Sequence, residues 1–353
     1  MDFKKILKEQ YGLYPKMQPQ DFIKLAYQSE FGGGHLIEDE AKSLEYLEKE
    51  VRVLQGTTQK PLWEAIGNGF YRLNLDAPEF QRMDLTTVNR IFILSAQLAQ
   101  GSRSSFLRKL GEIRDLCSRY PLAFSLEEWD RYIEGYRSMG YSVLHHSEVY
   151  NREYIPHYRI IHQQYQTLIP IFCEIDHLLR SKPMVKVAID GMSGAGKTTL
   201  SQLLESIYDC NIFHMDHFFL TPELRSPKRL EEVGGNVDYE RFLREVLLKI
   251  NGERSFQYQI YHCRANTYTK SPEIRPKRLA IVEGAYSMHP TLIGHYDLRI
   301  FLSIHPEKQI QRILKRNGKD ALARFIQEWI PKENLYFEKM GIREKSDLVF
   351  NME

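Results

Sequence analysis

The chain has few of the features that mark secreted, membrane-spanning or nucleic-acid-binding proteins. Its 353 residues include four cysteines and no CxxC pair, which excludes a disulfide framework or a zinc knuckle as the predicted organisation. No apolar run approaches the ~18 residues needed to span a bilayer. The formal net charge is only +2, so neither nucleic acid nor a membrane surface is indicated as a partner.

The first residues, Met1 to Lys8, also lack the apolar core of a signal peptide. We therefore expect a reduced, cytoplasmic protein. Composition is otherwise ordinary for a globular chain, with 42% hydrophobic and 27% charged residues. The length favours two domains.

The first half of the sequence has helical periodicity. Apolar residues recur at intervals of three and four in 44–54, 106–116 and 160–175. Pro170 is expected to kink the last of these helices. Residues 1–181 are predicted to form a mostly or wholly α-helical domain, to which the sequence assigns no role.

The pattern changes at Ser181-Lys182-Pro183, because proline disfavours helical geometry in the residue before it. Short β-branched segments now alternate with helical ones, and the segments are Val185–Asp190, Ile212–Asp216, Leu279–Glu283 and Leu298–Ile304. Strands that alternate with helices indicate a parallel sheet with helices on both faces. Residues 182–353 are therefore predicted to be an α/β domain.

The first of these strands leads into Gly-Met-Ser-Gly-Ala-Gly-Lys-Thr, residues 191–198, which fits G-x-x-x-x-G-K-S/T. Glycines let successive N–H groups point at phosphate oxygens, the lysine reaches the β- and γ-phosphates, and the threonine hydroxyl ligates Mg²⁺. An amphipathic helix follows and directs its positive end at the same anion. A glycine-rich turn that matched this motif by accident would not have a strand before it and an amphipathic helix after it. The predicted nucleotide-binding residues are Gly191, Ser193, Gly194, Ala195, Gly196, Lys197, Thr198 and Thr199.

Three classes of protein use such a loop: GTPases, motor ATPases and small-molecule kinases. The nearest string to a guanine-reading motif, Asn317-Gly318-Lys319-Asp320, has the wrong order. A motor ATPase strand usually ends in Asp-Glu, whereas the best candidate here ends in Val282-Glu283-Gly284. A kinase needs an acceptor pocket, a base and a cationic lid, and candidates for all three follow in order.

Those candidates form an ordered set, which is Asp216-x-Phe218-Phe219, Asn236-x-Asp238, His262-x-Arg264 and Val282-Glu283-Gly284. The set resembles the uridine kinase family of P-loop kinases, a group that includes relatives of phosphoribulokinase and pantothenate kinase, from about Met184 to the C-terminus. The resemblance implies that Asp216 is the base for a sugar 5′-hydroxyl, that Asp238 holds the ribose hydroxyls and that His262 faces the base ring. It also implies that arginines on a lid helix clamp the phosphates.

The sequence departs from this family on the acceptor side. Phe219 stands where the family has tyrosine, and Tyr258-Gln259 lacks the acid of the usual Tyr-Asp pair. The lid cluster is shortened to Arg316-Asn317-Gly318-Lys319. The resemblance therefore supports a kinase more strongly than it supports uridine as the acceptor.

The predicted reaction is an ATP- and Mg²⁺-dependent phosphorylation of a hydroxyl on a small metabolite, with the 5′-hydroxyl of uridine or cytidine as the first expectation. A vitamin precursor, a sugar or a sugar phosphate is the alternative acceptor. A nucleotide-sensing module with little turnover is the alternative of another class. The predicted partner is a small molecule, neither nucleic acid nor a membrane, and a homo-oligomer is compatible with the sequence. Roles are assigned as follows: catalysis to Lys197, Asp216, Arg312 and Arg316; substrate binding to Phe219, Asp238, Tyr258, His262 and Arg264; and metal binding to Thr198 and Glu283.

Most of these residues also have a simpler interpretation. Asp216 could act only as a Mg²⁺ ligand, and Asp238 could cap the helix that begins near Tyr239. Glu283 could be an outer-sphere or structural residue. His262 could be a surface or core histidine whose hydrogen bonds are satisfied within the protein. Arg264 could form an ion pair on the surface, and Arg312 and Arg316 could belong to a solvated basic helix face.

Two segments of the first half are dense in functional-looking side chains, Glu30–His35 and His145–Arg159. A metal site would draw on His35, His145, His146 and His157, but their spacing matches no standard template. A surface that binds an anionic ligand or a docking surface for the kinase domain is the next interpretation. Helix capping and packing is the simplest.

Overall fold

A computed structural model describes residues 2–54, 60–252, 254–263 and 265–352, and at Gln81 it describes the backbone alone. The chain separates into two compact units between Cys173 and Glu174. This division falls within the helix Ile169–Ser181. The helix ends at Ser181, next to the domain boundary that the sequence predicts near residue 182. The domain limits 1–181 and 182–353 stay a prediction.

The amino-terminal unit is mainly helical. Its helices α1 to α8 are followed by α9, which spans the division, and their bounds are Phe3–Leu13, Pro19–Phe31, Glu40–Val51, Leu85–Ala96, Arg103–Cys117, Leu126–Ser138, Glu148–Tyr154, Gln163–Gln166 and Ile169–Ser181. Short polar side chains accept hydrogen bonds from the first-turn N–H groups of several of these helices, including Asp39, Ser102 and Ser125. Such caps satisfy donors that have no partner within the helix.

This unit also contains an antiparallel sheet that the sequence analysis did not anticipate. Its strands are β1 (Trp63–Gly67), β2 (Phe70–Asn74) and β3 (Tyr158–His162), in the order β1-β2-β3. Ile160 and Ile161 lie in β3, so the predicted helix over 160–175 is wrong in its first part. Pro170 is the second residue of α9 rather than the site of a kink, because proline is tolerated in the first turn of a helix.

The carboxyl-terminal unit is built on the predicted parallel sheet. Strands β4 to β10 are Val185–Gly191, Cys210–His214, Gln259–His262, Thr267–Lys270, Leu279–Glu283, Leu298–Ser303 and Leu348–Asn351. Five of them pair in parallel in the order β10-β9-β4-β8-β5, and β6 pairs with β7 as a separate antiparallel hairpin. All four strands predicted from the sequence lie in the five-stranded sheet, and β10 is an addition.

Helices connect these strands. They are α10 to α16, with bounds Lys197–Ile207, Pro227–Glu231, Tyr239–Phe242, Leu248–Ile250, Pro290–Ile293, Pro306–Arg324 and Ile330–Lys339, and π-helical turns at Leu243–Leu247 and Phe325–Trp329. Apolar side chains from strands and helices, among them Phe213, Val282, Phe301 and Phe337, form one buried cluster. The predicted α/β class is confirmed. Across the described residues, the helices are all too short or too polar to cross a bilayer.

The order of the strands decides where functional side chains can meet. β4, β8 and β5 are neighbours in the sheet. Parallel neighbours end at the same edge of a sheet, and ligands of open α/β sheets bind outside the carboxyl ends of the strands. The segments that follow Gly191, His214 and Glu283 are therefore brought to one edge.

Candidate active site

The phosphate loop joins the end of β4 to the start of α10. A Cβ atom on Gly191, whose φ is +136°, would lie 2.1 Å from the carbonyl oxygen of Leu302. Gly194 and Gly196 have φ of +78° and +100°, so the loop depends on the conformational freedom of glycine. Lys197 Nζ donates to the carbonyl of Gly191 at 2.7 Å and of Met192 at 3.2 Å. The lysine thus lies across the loop at the positive end of α10, where an anion is favoured.

A buried carboxylate supports the loop at its first residue. Asp190 accepts hydrogen bonds from the backbone N–H of Gly191 at 2.7 Å and of Met288 at 3.0 Å. The hydroxyl of Tyr336, from α16, also donates to it at 3.0 Å. Burial raises the pKa of the Asp190 carboxyl to about 6, against the hydrogen bonds and the charge of Lys197, which lower it.

Oxygen ligands for a metal lie beside the loop. The hydroxyl of Thr198 donates to both carboxylate oxygens of the buried Glu283, at 3.2 and 3.3 Å. His214 Nδ1 lies 2.6 Å from Glu283 Oε1, and this hydrogen bond raises the pKa of His214. A hydroxyl and a carboxylate fit Mg²⁺, which in phosphate sites takes one or two protein ligands and completes its shell with phosphates and water. Across the described residues, no group of three or more His, Cys, Asp or Glu side chains is placed to hold a metal ion.

Asp216 follows β5 in the turn Met215–Phe218. The residue as a whole is exposed. Partial desolvation of its carboxylate, followed by the charge of Glu283, raises the pKa of Asp216 above its ordinary value. Lys197, His214 and Arg316 are close enough to oppose the rise. The predicted base therefore lies among the predicted phosphate-binding and metal-binding residues.

Helix α15 packs on the phosphate loop and carries the predicted arginines. Arg312 donates to the carbonyl of Gly194 at 3.3 Å, and Arg316 is near enough to lower the pKa of Asp216. Two residues later the helix is broken at Gly318, where φ is 81° and ψ is 175°. Residues 314–328, which we call the lid segment, are exposed or half-buried except for Phe325. The two arginines therefore lie where the lid segment leaves the loop.

The Asn236-x-Asp238 stretch is paired with the residues that follow Asp216. Phe219 bridges Val237 in an antiparallel pair, and Asp238 N–H donates to the carbonyl of Phe218 at 2.7 Å. The carboxylate of Asp238 accepts from Arg241 N–H at 3.0 Å and also pairs with the Arg241 side chain. Asp238 therefore caps the helix α12, which was the simpler of its two interpretations, and its role toward a substrate stays a prediction.

The β6–β7 hairpin brings the remaining acceptor candidates close to Asp216. Tyr258, just before β6, has its hydroxyl 2.9 Å from His217 Nδ1. His262 is exposed, its Nε2 lies 2.8 Å from Thr269 Oγ1, and its charge helps to lower the pKa of His217, which burial takes to about 4. Arg264 lies outside the described residues.

Arg241 holds these segments together. Its guanidinium donates to the carbonyl of His217 at 2.9 Å and of Gln259 at 2.7 Å, and lies 4.2 Å above the ring of Phe218. The sequence analysis did not select Arg241 as a site residue. The other residues that it missed are Asp190, His214, His217, Gln309 and Glu333. The two histidines flank Asp216 and could have been found by their proximity, whereas the others are recognised only by contacts with distant parts of the chain.

The histidine-rich segments of the amino-terminal unit form packing contacts. His146 lies 3.0 Å from Asp21 and 2.6 Å from the hydroxyl of Tyr158, and His157 lies 2.8 Å from Glu50. A Cβ atom on Gly33 would lie 2.6 Å from the ring of Phe92, so glycine is required there by packing. Among the described residues, no group of three or more His, Cys, Asp or Glu side chains is placed to hold a metal ion, and a ligand-binding or docking role for these segments stays a prediction.

A parallel sheet, a glycine-dependent phosphate loop and a helix that begins at its lysine define the carboxyl-terminal unit as an α/β domain of the P-loop NTPase type. Comparison with known proteins gives no matching family model and no matching curated protein. Among solved structures, a protein described as a possible uridine kinase from Bacillus stearothermophilus is 20% identical, with a TM-score of 0.37 over 51% of this chain and 99% of its own.

Two further solved structures show the same kind of likeness. A protein proposed to be a fructose transport system kinase, from Silicibacter sp. TM1040, is 22% identical over 52% of this chain and 98% of its own, with a TM-score of 0.43. Shikimate kinase from Bacteroides thetaiotaomicron is 17% identical over 48% of this chain and 87% of its own, with a TM-score of 0.26. These neighbours are uridine kinase-like and other P-loop kinases that match about half of the chain. The rest of the chain is unassigned by them.

Proposed function

We propose that the carboxyl-terminal unit is an ATP- and Mg²⁺-dependent kinase that phosphorylates a hydroxyl of a small metabolite. The observation that carries this proposal is the convergence of Lys197, the Thr198–Glu283 pair and Asp216 at adjacent strand ends of one sheet. Phosphoryl transfer requires positioned phosphates, charge neutralisation and an oriented acceptor. This set of residues supplies one group for each requirement.

The position of each residue determines its proposed role in phosphoryl transfer. Backbone N–H groups of the loop and Lys197 hold the β- and γ-phosphates, while Thr198 and Glu283 would hold Mg²⁺. The metal ion, when bound, neutralises charge on those phosphates. Asp216 accepts a hydrogen bond from the acceptor hydroxyl and takes its proton as the new bond forms. Arg312 and Arg316 stabilise charge on the transferred group, and the lid segment excludes water.

A nucleoside such as uridine or cytidine is the first expectation for the acceptor. Phe219, Tyr258 and His262 supply aromatic rings near Asp216, on segments held together by Arg241. The Asp238 carboxylate would accept hydrogen bonds from ribose hydroxyls through the lone pairs that helix capping does not use. A vitamin precursor, a sugar or a sugar phosphate is the alternative acceptor, favoured by the departures at Phe219 and Gln259.

The direct test is a screen of ATP consumption by the purified chain with Mg²⁺ against nucleosides, vitamin precursors, sugars and sugar phosphates. We expect at least one acceptor to raise turnover well above the rate with water alone, and a phosphorylated product to appear in the same assay. If no acceptor raises turnover while ATP still binds, the kinase proposal fails and a nucleotide-sensing module is the better description.

A further inference from the structure

Ser193 is the third residue of the phosphate loop. Each of its polar groups forms a hydrogen bond with a side chain of α15 or α16. Its N–H donates to Glu333 Oε2 at 2.9 Å, and its hydroxyl donates to Glu333 Oε1. Its carbonyl accepts from Gln309 Nε2 at 2.9 Å. Glu333 is 6% exposed and Gln309 is 2% exposed. The loop residue is therefore fixed to α15 by one side chain and to α16 by the other.

These two contacts stand at the two ends of the lid segment. Gln309 precedes residues 314–328 on α15, and Glu333 follows them on α16. The residues at both ends are buried, and the segment between them is largely exposed. A segment with few buried contacts opens at low free-energy cost, so its position is set by where its ends are attached. Both ends are attached to Ser193.

Each helix makes a second contact with the same loop. Tyr336 lies three residues after Glu333, hence on the same face of α16, and donates to Asp190 at 3.0 Å. Arg312 lies three residues after Gln309 on α15 and donates to the carbonyl of Gly194 at 3.3 Å. The loop is thus held between the two helices from Asp190 to Gly194.

The charge of Glu333 makes this attachment sensitive to what the loop binds. Within the described part of the chain, its carboxylate has no ion-pair partner and accepts hydrogen bonds from Ser193 alone. A buried carboxylate without a cation depends strongly on such donors. An incoming triphosphate brings further negative charge to the same loop. Binding of the phosphates and the Glu333 contact therefore influence each other through Ser193.

Taking the loop as the ATP site of the proposed kinase, we infer that Ser193 is the joint that transmits occupation of the phosphate loop to the lid segment, with Glu333 as its positioning residue. Loss of the Glu333 contact frees one end of the lid segment and leaves the other phosphate-binding groups in place.

Limited trypsin digestion tests this inference, because Lys315, Arg316, Lys319 and Arg324 are exposed cleavage sites in the lid segment. The variants are Glu333→Gln and Ser193→Ala, and the control is Glu338→Gln, an exposed carboxylate on the same helix. Without nucleotide, Glu333→Gln should be cut in the lid segment about tenfold faster than wild type, as expected for loss of a hydrogen bond to a charged group. The control should be cut at the wild-type rate.

The same digestion with a non-hydrolysable ATP analogue and Mg²⁺ tests the transmission. Because the incoming phosphates and the Glu333 carboxylate are both negative, the analogue should weaken the Glu333 contact and speed cleavage of the wild-type lid segment, and it should change cleavage of Glu333→Gln much less. By reciprocity, calorimetry should show tighter binding of the analogue to Glu333→Gln than to wild type. An analogue that changed the cleavage rate of both chains by the same factor, or of neither chain, would overturn the inference. A wild-type chain that does not bind the analogue at all would instead overturn the proposed function.

The Ser193→Ala variant guards against loss of folding in Glu333→Gln, which circular dichroism would reveal. It removes one donor and leaves the backbone N–H and the carboxylate in place. It should also be cut faster than wild type, and the double variant should be cut no faster than Glu333→Gln alone, because both changes act on one contact. Independent, additive effects of the two changes would contradict a single joint.

Discussion

Asp216 is one carboxylate of a pair, and its neighbour Glu283 is committed to Thr198 and His214. On the proposed division of roles, neutralising Asp216 removes the base and leaves the metal ligands. We expect Asp216→Asn to lower phosphate transfer by about 10²-fold to 10⁴-fold, the typical contribution of a general base. Affinity for an ATP analogue should change little, as measured by calorimetry beside steady-state kinetics.

The exposed Asp209, seven residues earlier, gives a matched control. Asp209→Asn should retain wild-type transfer. Near-normal turnover in Asp216→Asn would remove the base role and leave Asp216, at most, as a ligand of the metal.

Asp190 gives a pH-dependent prediction, because burial raises its pKa to about 6. Between its ordinary pKa, about 3.9, and that value, the folded state binds more protons at this group than the unfolded state does. The contribution of Asp190 to stability is therefore greatest below pH ~4, falls as pH rises to about 6, and is constant above that.

The comparison of wild type with Asp190→Asn isolates this effect. The free energy of unfolding of wild type minus that of the variant should decrease with rising pH by up to about 1.4 kcal/mol per pH unit between pH ~4 and ~6. Urea unfolding across this range measures the difference. A difference independent of pH would show that the Asp190 carboxyl keeps an ordinary pKa.

At the scale of elements, the break in α15 has a backbone conformation that side chains disfavour. Gly318 has φ of 81° and ψ of 175°, with open space where a Cβ would be. Alanine there would either carry strain of about 1 to 3 kcal/mol or straighten the helix and move the lid segment. We expect Gly318→Ala to lower transfer several-fold, and to lower the midpoint of thermal unfolding by several degrees if the strained conformation is kept.

Gly111 in α5 is the control for this change, because it too has open space at its Cβ position but lies within a regular helix. Gly111→Ala should leave transfer unchanged and stabilise the chain by about 0.5 to 1 kcal/mol. Wild-type kinetics in Gly318→Ala would mean that the break is not needed by the lid segment.

Local periodicity identified four of the strands in the carboxyl-terminal unit. β4, β5, β8 and β9 were predicted because each is a short apolar run bounded by turns. The sequence pattern predicts a helix over β3 because the spacing of Ile160, Ile161 and Tyr165 also fits a helix, whereas the structure pairs β3 with β2. Pairing with a distant strand overrode the local pattern.

At the scale of the whole molecule, binding to the folded state alone must raise stability. An ATP analogue with Mg²⁺, at 100 times its dissociation constant, should add about 2.7 kcal/mol to the free energy of unfolding of the unit that binds it. Differential scanning calorimetry should show a transition that moves upward with analogue concentration, and chelation of Mg²⁺ should reduce the shift.

Lys197→Ala provides the matching variant, because it removes the side chain that lies across the loop. Its transition should move far less at the same analogue concentration. An equal shift in wild type and Lys197→Ala would place the nucleotide somewhere other than this loop.

The sequence by itself determined the phosphate loop, the α/β class of the second half and the candidates Lys197, Thr198, Asp216 and Glu283. Each of these depends on a short motif or on a local repeat, so neighbours in the chain carry the information. Tertiary structure decided that Arg241 joins the acceptor segments and that Glu333 binds Ser193 from 140 positions away. Such contacts depend on how a sheet orders its strands and where a distant helix packs, which no local pattern specifies.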